Sequence, residues 1–477
     1  MENFKPSSEH DLYNEDLAPV NNNDKNVKPS GYGFVWFGLA VQITAFLSLS
    51  PMVNYFTIGQ LNLIFIIGSI LIGLFCFITQ DIGLRYGISF ATSVSVTFGY
   101  KGGKIINMIR TFPSLIFFGL NAYIGAIALN EIFKMVFGFE SILLGLILNI
   151  AVLVAITVKK LKSIERFIAF AAPLLLLIGI YMLYVVLSAY DVSYFDTLSM
   201  GNLHKSDHSV GMWLYSFAVV IGVFSSVALG INDFTKDCKI NQNNNKWFQT
   251  NKSYFIATFI GLVPPLAFFS ILGSITMALS GRTDVLIVIS ELVQERSVVL
   301  AVLLQLFIVV AQASTNAAAT LLPSAYAISG LLPRKISFKA AVIGFALLVF
   351  IVRPWAIQEH LAFIISLFSF TAGPAIAIIA VDYYIFRKRK ISLSDVYNSK
   401  GKYRYFKGIN PVALVVYVLA TVIGFVFFSD LSFYIATTLA AVFYYIAAKL
   451  LSTKYPVLVQ EETEYTRRIQ SKKETVS

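Results

Sequence analysis

Twelve long apolar runs joined by short polar loops limit this chain of 477 residues to one kind of surroundings. They fall at about 31–56, 60–80, 105–133, 140–158, 164–189, 209–232, 253–280, 297–331, 337–357, 359–386, 411–429 and 432–452. A helix of about 20 apolar residues crosses the hydrocarbon core of a bilayer. Only 13% of the residues are charged, about half the share usual in soluble domains. A water-soluble core cannot hide that much apolar surface, so the chain reads as an all-α polytopic membrane protein in a lipid bilayer.

The formal net charge of +11 does not point to nucleic acid, because the basic residues sit in short loops between the apolar runs. Arg85, Lys101 and Lys104 mark one such loop, and Lys159, Lys160, Lys162 and Arg166 the next. Lys236, Lys239 and Lys246 follow, then Arg334, Lys335 and Lys339, then Arg387 to Lys390. The intervening loops carry Asp191, Asp196, Asp207, Asp284 and Asp430 instead. The positive-inside rule therefore places both termini in the cytoplasm of a cell-membrane protein. Residues 1–28, polar and Asn-rich with no charged-then-apolar leader, read as a disordered cytoplasmic tail, and residues 453–477 as a second one. Cys76 and Cys238 offer neither a disulfide framework nor metal spacing, and His10, His204, His208 and His360 form no relay. No hydrolase, phosphate-loop or dinucleotide motif occurs, so neither an enzyme nor a cofactor is expected.

The stretch Ala311–Tyr326 concentrates Ser314, Thr315, Asn316 and Thr320 among alanines, in the middle of an apolar segment. Helical periodicity puts Ala311, Thr315 and the region of Ala318 on one face, with Ser314 beside them. Such a face at bilayer depth has to look into protein or water. One reading is helix–helix glue, since small residues permit close packing and hydroxyls bond back to carbonyls. The other is an ion site. No ionisable residue stands near a segment centre; Asp81, Arg110, Glu131 and Asp233 read as flanking positions. Proton coupling ordinarily needs a titratable group at depth, whereas sodium needs only neutral oxygens. Segment 1 has Gly38 with Gln42 and Thr44, and segment 6 has Gly222, Ser225, Ser226 and Gly230. Glycines and polar residues in matching places of two halves point to inverted repeats with interrupted helices, although glycine is also simply common in membrane helices.

Phe117 and Asn121 in segment 3, at i and i+4, put a ring and an amide on one face, and Phe224 in segment 6 follows Gly222. Rings and amides suit a flat, uncharged heterocycle. With 41 phenylalanines in the chain, a lipid-facing or core role is the competing reading for each.

Several short matches, in one order from about residue 30 to 450, make the chain resemble the nucleobase:cation symporter family. That family comprises cytosine, purine, uracil, allantoin and hydantoin permeases, and the likeness is greatest to its sodium-coupled hydantoin carriers. The matches are Trp36-Phe37 with Gln42, Thr79-Gln80 with Arg85 and Gly87, and Asp191-Val192-Ser193 with Met200-Gly201. They continue with Asp233 and Lys236-Asp237-Cys238-Lys239, Ser314-Thr315-Asn316, Pro354-Trp355, and Gly373-Pro374 with Asp382-Tyr383. The run Ile391–Tyr397, then Gly401, Tyr403, Tyr405, Gly408 and Asn410, completes them.

The resemblance implies a five-plus-five inverted-repeat transporter fold. Its first repeat would cover 29–190, its inverted second 209–390, and two extra helices 411–452, with helices 1 and 6 interrupted. It implies a sodium site made of the carbonyls of Gly38, Val41 and Ala311 and the hydroxyls of Ser314 and Thr315. It implies a substrate site at Gln42, Phe117, Asn121, Gly222, Val223, Phe224 and Thr320, gated by Ile365. The hydantoin carriers have tryptophans where this chain has Phe117 and Phe224, glutamine for Asn121, asparagine for Thr320 and glycine for Val223. Changes of that kind are each worth about 1–3 kcal/mol when a buried partner is left unpaired. The expectation is a monomeric sodium symporter importing a small planar N-heterocycle other than an aryl-hydantoin. The alternatives are a proton-coupled carrier, should Asp233 or Glu131 lie deeper than placed, and a non-transporting sensor on the same fold.

Overall fold

The computed structural model describes residues 10–41, 46, 49–205, 209–241, 246–353, 355–356, 361–428 and 431–458, with the side chains of 361–370 and 456 excepted. Helices dominate, as a bilayer demands of a backbone that must satisfy its own polar groups. We label the spans in order. α1 is Pro29–Ala40, α2 Ile58–Thr79, α3 Tyr100–Phe137, α4 Ile142–Thr157, α5 Lys160–Ala189 and α6 Val210–Leu229. α7 is Trp247–Ser280, α8 Val298–Leu331, α9 Phe338–Val352, α10 Leu361–Phe386, α11 Pro411–Phe427 and α12 Ser432–Leu451. Among the described residues, seven helices are each long and apolar enough to cross a membrane. Hydroxyl or amide caps start many of the spans: Thr57 and Gln60 cap each other reciprocally at α2, and Ser141, Ser209, Ser297, Ser337 and Asn410 cap α4, α6, α8, α9 and α11.

The helices interleave in space. α1 packs on α7 and α5, α2 on α7 and α6, α3 on α8 and α4, and α12 on α10 and α11. α1 stops at Ala40, where Val41 leaves helical geometry with ψ 55°, so the expected interruption of segment 1 is present. In segment 6 the helix runs unbroken through Gly222, Ser225 and Ser226. It ends at Gly230, before a single turn at Asn232–Thr235. Two short helices were not legible as apolar runs: Phe90–Phe98 between α2 and α3, and Val285–Gln294 between α7 and α8. Both are too short to register as spans.

Residues 10–28, expected as a disordered tail, are packed instead. They form a strap across the end of the bundle that carries the basic loops. Leu17, Lys25 and Val27 are buried. The strap's backbone donates from Leu12 to Tyr397 O, from Val20 to Gly87 O, and from Asn26 and Val27 to Asp237 O. Asn14 Nδ2 donates to Ser329 O at 3.2 Å. Asn-rich composition signalled disorder here, but the strap's amides and the Asn14 and Lys25 side chains reach carbonyls that are far away in sequence. The C-terminal residues 459–477, expected as a tail, lie outside the described residues.

Lys25 donates from Nζ to Leu84 O, and burial pulls its pKa down to about 8, opposed by the nearby Cys238 and Asp237. A lysine with a depressed folded-state pKa is protonated less readily when docked than when free, so docking strengthens as pH rises from about 8 towards the free value. Proteolysis within residues 10–28, corrected for a free peptide of that sequence, should slow between pH 8 and 10, and Lys25→Met should abolish that pH dependence.

Candidate functional site

The site is built where broken α1 meets the hydroxyl-rich middle of α8. The last turn of a helix leaves carbonyls without an intrahelical donor, and at Gly38 the partner comes from α8. Thr315 Oγ1 donates to Gly38 O at 2.8 Å, and Ser314 Oγ lies 3.3 Å from the same oxygen. Ser314 Oγ also donates to Ala311 O at 2.8 Å. A side chain at position 38 has no room, since a Cβ there would meet Ile168 Cδ1 at 2.6 Å. Gly38, Ala311, Ser314, Thr315 and Val41 are all buried. The first four form one knot of neutral oxygens, and Val41 stands at the end of α1 beside them. No group of three or more His, Cys, Asp or Glu side chains occurs among the described residues. The donor set suits an alkali cation far better than a transition metal, which prefers nitrogen or sulfur.

Directly after Thr315, α8 changes its winding. Residues Asn316–Leu321 form a π turn, in which i→i+5 bonding adds one residue to the turn. In an α-helix, residues five apart point about 140° away from each other; the wider turn brings them back together. Thr320 therefore shares a face with Thr315, and Ala319 lines the cleft beside it. Thr320 Oγ1 is held by Asn316, donating to its O at 2.6 Å with Oδ1 at 2.7 Å, and Asn316 Nδ2 donates across to Phe118 O at 2.9 Å.

Thr315, Ala319 and Thr320 line a narrow cleft together with Ser114, Phe117 and Asn121 of α3 and Val223, Phe224, Ser226 and Val227 of α6. The sequence-expected Phe117, Asn121, Val223, Phe224 and Thr320 are thus brought together. Gly222 is buried within α6 and is not part of that lining. Gln42 and the side chain of Ile365 lie outside the described residues. Phe224 is packed from behind by Trp36 of α1, with ring centroids 6.2 Å apart. Sequence reasoning missed Ser114, although it sits one helical turn from Phe117, while Ser226, noted among the polar residues of segment 6, joins the lining.

Below the cleft, towards the strap, an ion pair ties α3 to the turn after α6. Arg110 of α3 reaches Asp233 at 2.8 Å and donates from Nε to Ser226 O at 3.1 Å. Phe90 N donates to the other carboxylate oxygen at 2.9 Å. The guanidinium fills the space beside Gly230, where a Cβ would approach it within 2.0 Å. Asp233, Arg110 and Asp81 are buried within the protein, and Asp81 accepts from Tyr383 and Asn251. Glu131 is partly exposed.

Removing one partner of a buried ion pair costs about 3–5 kcal/mol. Asp233→Asn should therefore weaken closure at this end. In protein lacking Cys76 and Cys238, a cysteine introduced at Ser226 should react with an impermeant maleimide added from the basic-loop side at least tenfold faster with Asp233→Asn than without it.

Residues 19–450 match the family model for permeases of cytosine and purines, uracil, thiamine and allantoin. The hydantoin permease of Microbacterium maritypicum is 32% identical over 464 residues, covering 96% of this chain and 94% of that protein. Mhp1, a nucleobase-cation-symport-1 family transporter solved in a closed conformation with bromovinylhydantoin bound, superposes with a TM-score of 0.89 at 31% identity, over 94% of this chain and 97% of that one. Its inward-facing conformation superposes less well, at 0.83 over 94% of this chain and 95% of that one.

Proposed function

The chain belongs to the family of cytosine, purine, uracil, thiamine and allantoin permeases, and we propose that it is a sodium-coupled symporter importing a small planar N-heterocycle. Thr315 carries this reading. Its hydroxyl joins the Gly38–Ser314 oxygen knot, while the same residue lines the aromatic cleft. An ion held by the carbonyls of Gly38, Val41 and Ala311 and the hydroxyls of Ser314 and Thr315 would fasten α1 to α8 and thereby shape the cleft wall. Each ligand then raises the other's affinity by the same factor.

Phe117 and Phe224 supply flat apolar contacts, and Asn121, Thr320 and Gln42 supply the polar ones. Phenylalanines offer less stacking area than indoles and no N–H, which argues for a substrate other than an aryl-hydantoin. The cycle is alternating access in a cell membrane with both termini in the cytoplasm. The Arg110–Asp233 pair closes the cytoplasmic side, and Ile365 of α10 closes over bound substrate. Proton coupling finds less support: Asp233 is buried next to the cleft floor, but Arg110 and the Phe90 amide already occupy its carboxylate.

A ligand that binds only the folded state raises Tm by mass action. Purified protein screened against nucleobases, allantoin and hydantoins should be stabilised by at least one planar heterocycle, and more strongly in sodium than in choline. Thr315→Ala should weaken that sodium dependence at least tenfold. Equal stabilisation with and without sodium for every hit would remove the ion from the reading.

A further inference from the structure

The cleft's hydrogen-bonding polarity is set by a residue that does not line it. Gln312 of α8 is 1% exposed, and its Nε2 donates to Asn121 Oδ1 at 3.1 Å. Its own Oε1 has no hydrogen-bond partner among the described residues. With Oδ1 committed to Gln312, the Asn121 amide has only its Nδ2 hydrogens left to offer the cleft.

The hydroxyls around it are committed in the opposite sense. Ser114 Oγ donates to Arg110 O at 2.9 Å, Thr315 Oγ1 to Gly38 O and Thr320 Oγ1 to Asn316 O. Each has spent its proton on a backbone carbonyl and keeps lone pairs for an occupant. Ser226 keeps a hydroxyl able to serve either way. Among the described lining residues other than Ser226, the cleft therefore presents one amide N–H donor set among acceptors.

The complementary occupant carries a carbonyl acceptor accompanied by ring N–H donors. That is the pattern of a cyclic urea or ureide, –NH–C(=O)–NH–. A 2-amino ring whose amino donor is flanked by bare ring nitrogens has the reverse pattern, and it would meet acceptor against acceptor. A buried polar group left unpaired is what gives a site its discrimination.

We propose that Gln312 is a positioning residue that locks the Asn121 amide with its N–H groups towards the cleft, and so selects cyclic ureas and ureides over 2-amino heterocycles. The inference rests on the reading of this cleft as the heterocycle site.

The test uses the full chain in saturating sodium, with apparent Kd taken from the concentration dependence of Tm. Uracil and 2-aminopyrimidine serve as probes because they share a six-membered ring and differ in polarity. Wild type should bind uracil at least tenfold tighter than 2-aminopyrimidine. Gln312→Met, similar in shape but unable to hold the Asn121 carbonyl, should reduce that ratio about tenfold. Asn121→Asp, which can still accept from Gln312 but turns an acceptor into the cleft, should shift preference towards 2-aminopyrimidine. The sodium-induced Tm shift reports whether each variant remains folded. A wild-type preference for 2-aminopyrimidine, or a ratio unchanged by Gln312→Met, overturns the role of Gln312 while leaving the transport reading intact. Failure of every heterocycle in the wider panel to stabilise wild type overturns the transport reading, and this one with it.

Discussion

The contact between the Gly38 carbonyl and the hydroxyls of Ser314 and Thr315 is the one on which the rest of the site depends. A bilayer supplies no hydrogen-bond partners, so a helix can stop inside it only where a neighbour receives its orphaned carbonyls. α8 is that neighbour, and its hydroxyls reach α1 while glycine at position 38 makes room for Ile168 of α5 on another side of the same turn. The same exchange leaves neutral oxygens concentrated at one point, a property that apolar packing alone would never produce.

The winding of α8 turns this junction into a binding surface. An unbroken α-helix would aim Thr320 away from Thr315, and the cleft would lose its third wall. The π turn realigns them, and the Asn316 amide, tied to Phe118 O on α3, holds the turn in register. π turns are uncommon and cluster at functional positions. Here the reason is geometric: one extra residue in the turn lets α8 face both the Gly38 carbonyl and the rings.

Much of this was legible in the residues. Hydrophobic run length located the twelve segments, because burying backbone in lipid imposes a length on each. The clustering of Ser314, Thr315 and Thr320 among alanines marked the site, since hydroxyls at depth must serve something. What stayed hidden depended on long-range partners or on irregular winding. The π turn has no periodic signature, so 3.6-residue arithmetic set Thr320 about 140° away from Thr315. The partners of Asp81 and Asp233 stayed hidden because nothing local announces that Asn251, Tyr383 or Arg110 will meet them. The strap misled for the same reason: its polar composition describes its own residues and is silent about the loop carbonyls they would find.

The strap also bears on how the protein can move. It bonds to Gly87 after α2, to Asp237 after α6, to Ser329 of α8 and to Tyr397 after α10. Any shift of one of these segments against another has to break those bonds or drag the strap along. Residues 10–28 thus act as a spring stretched across four segments far apart in the chain. An affinity tag or fusion placed ahead of residue 10 pulls on the same spring.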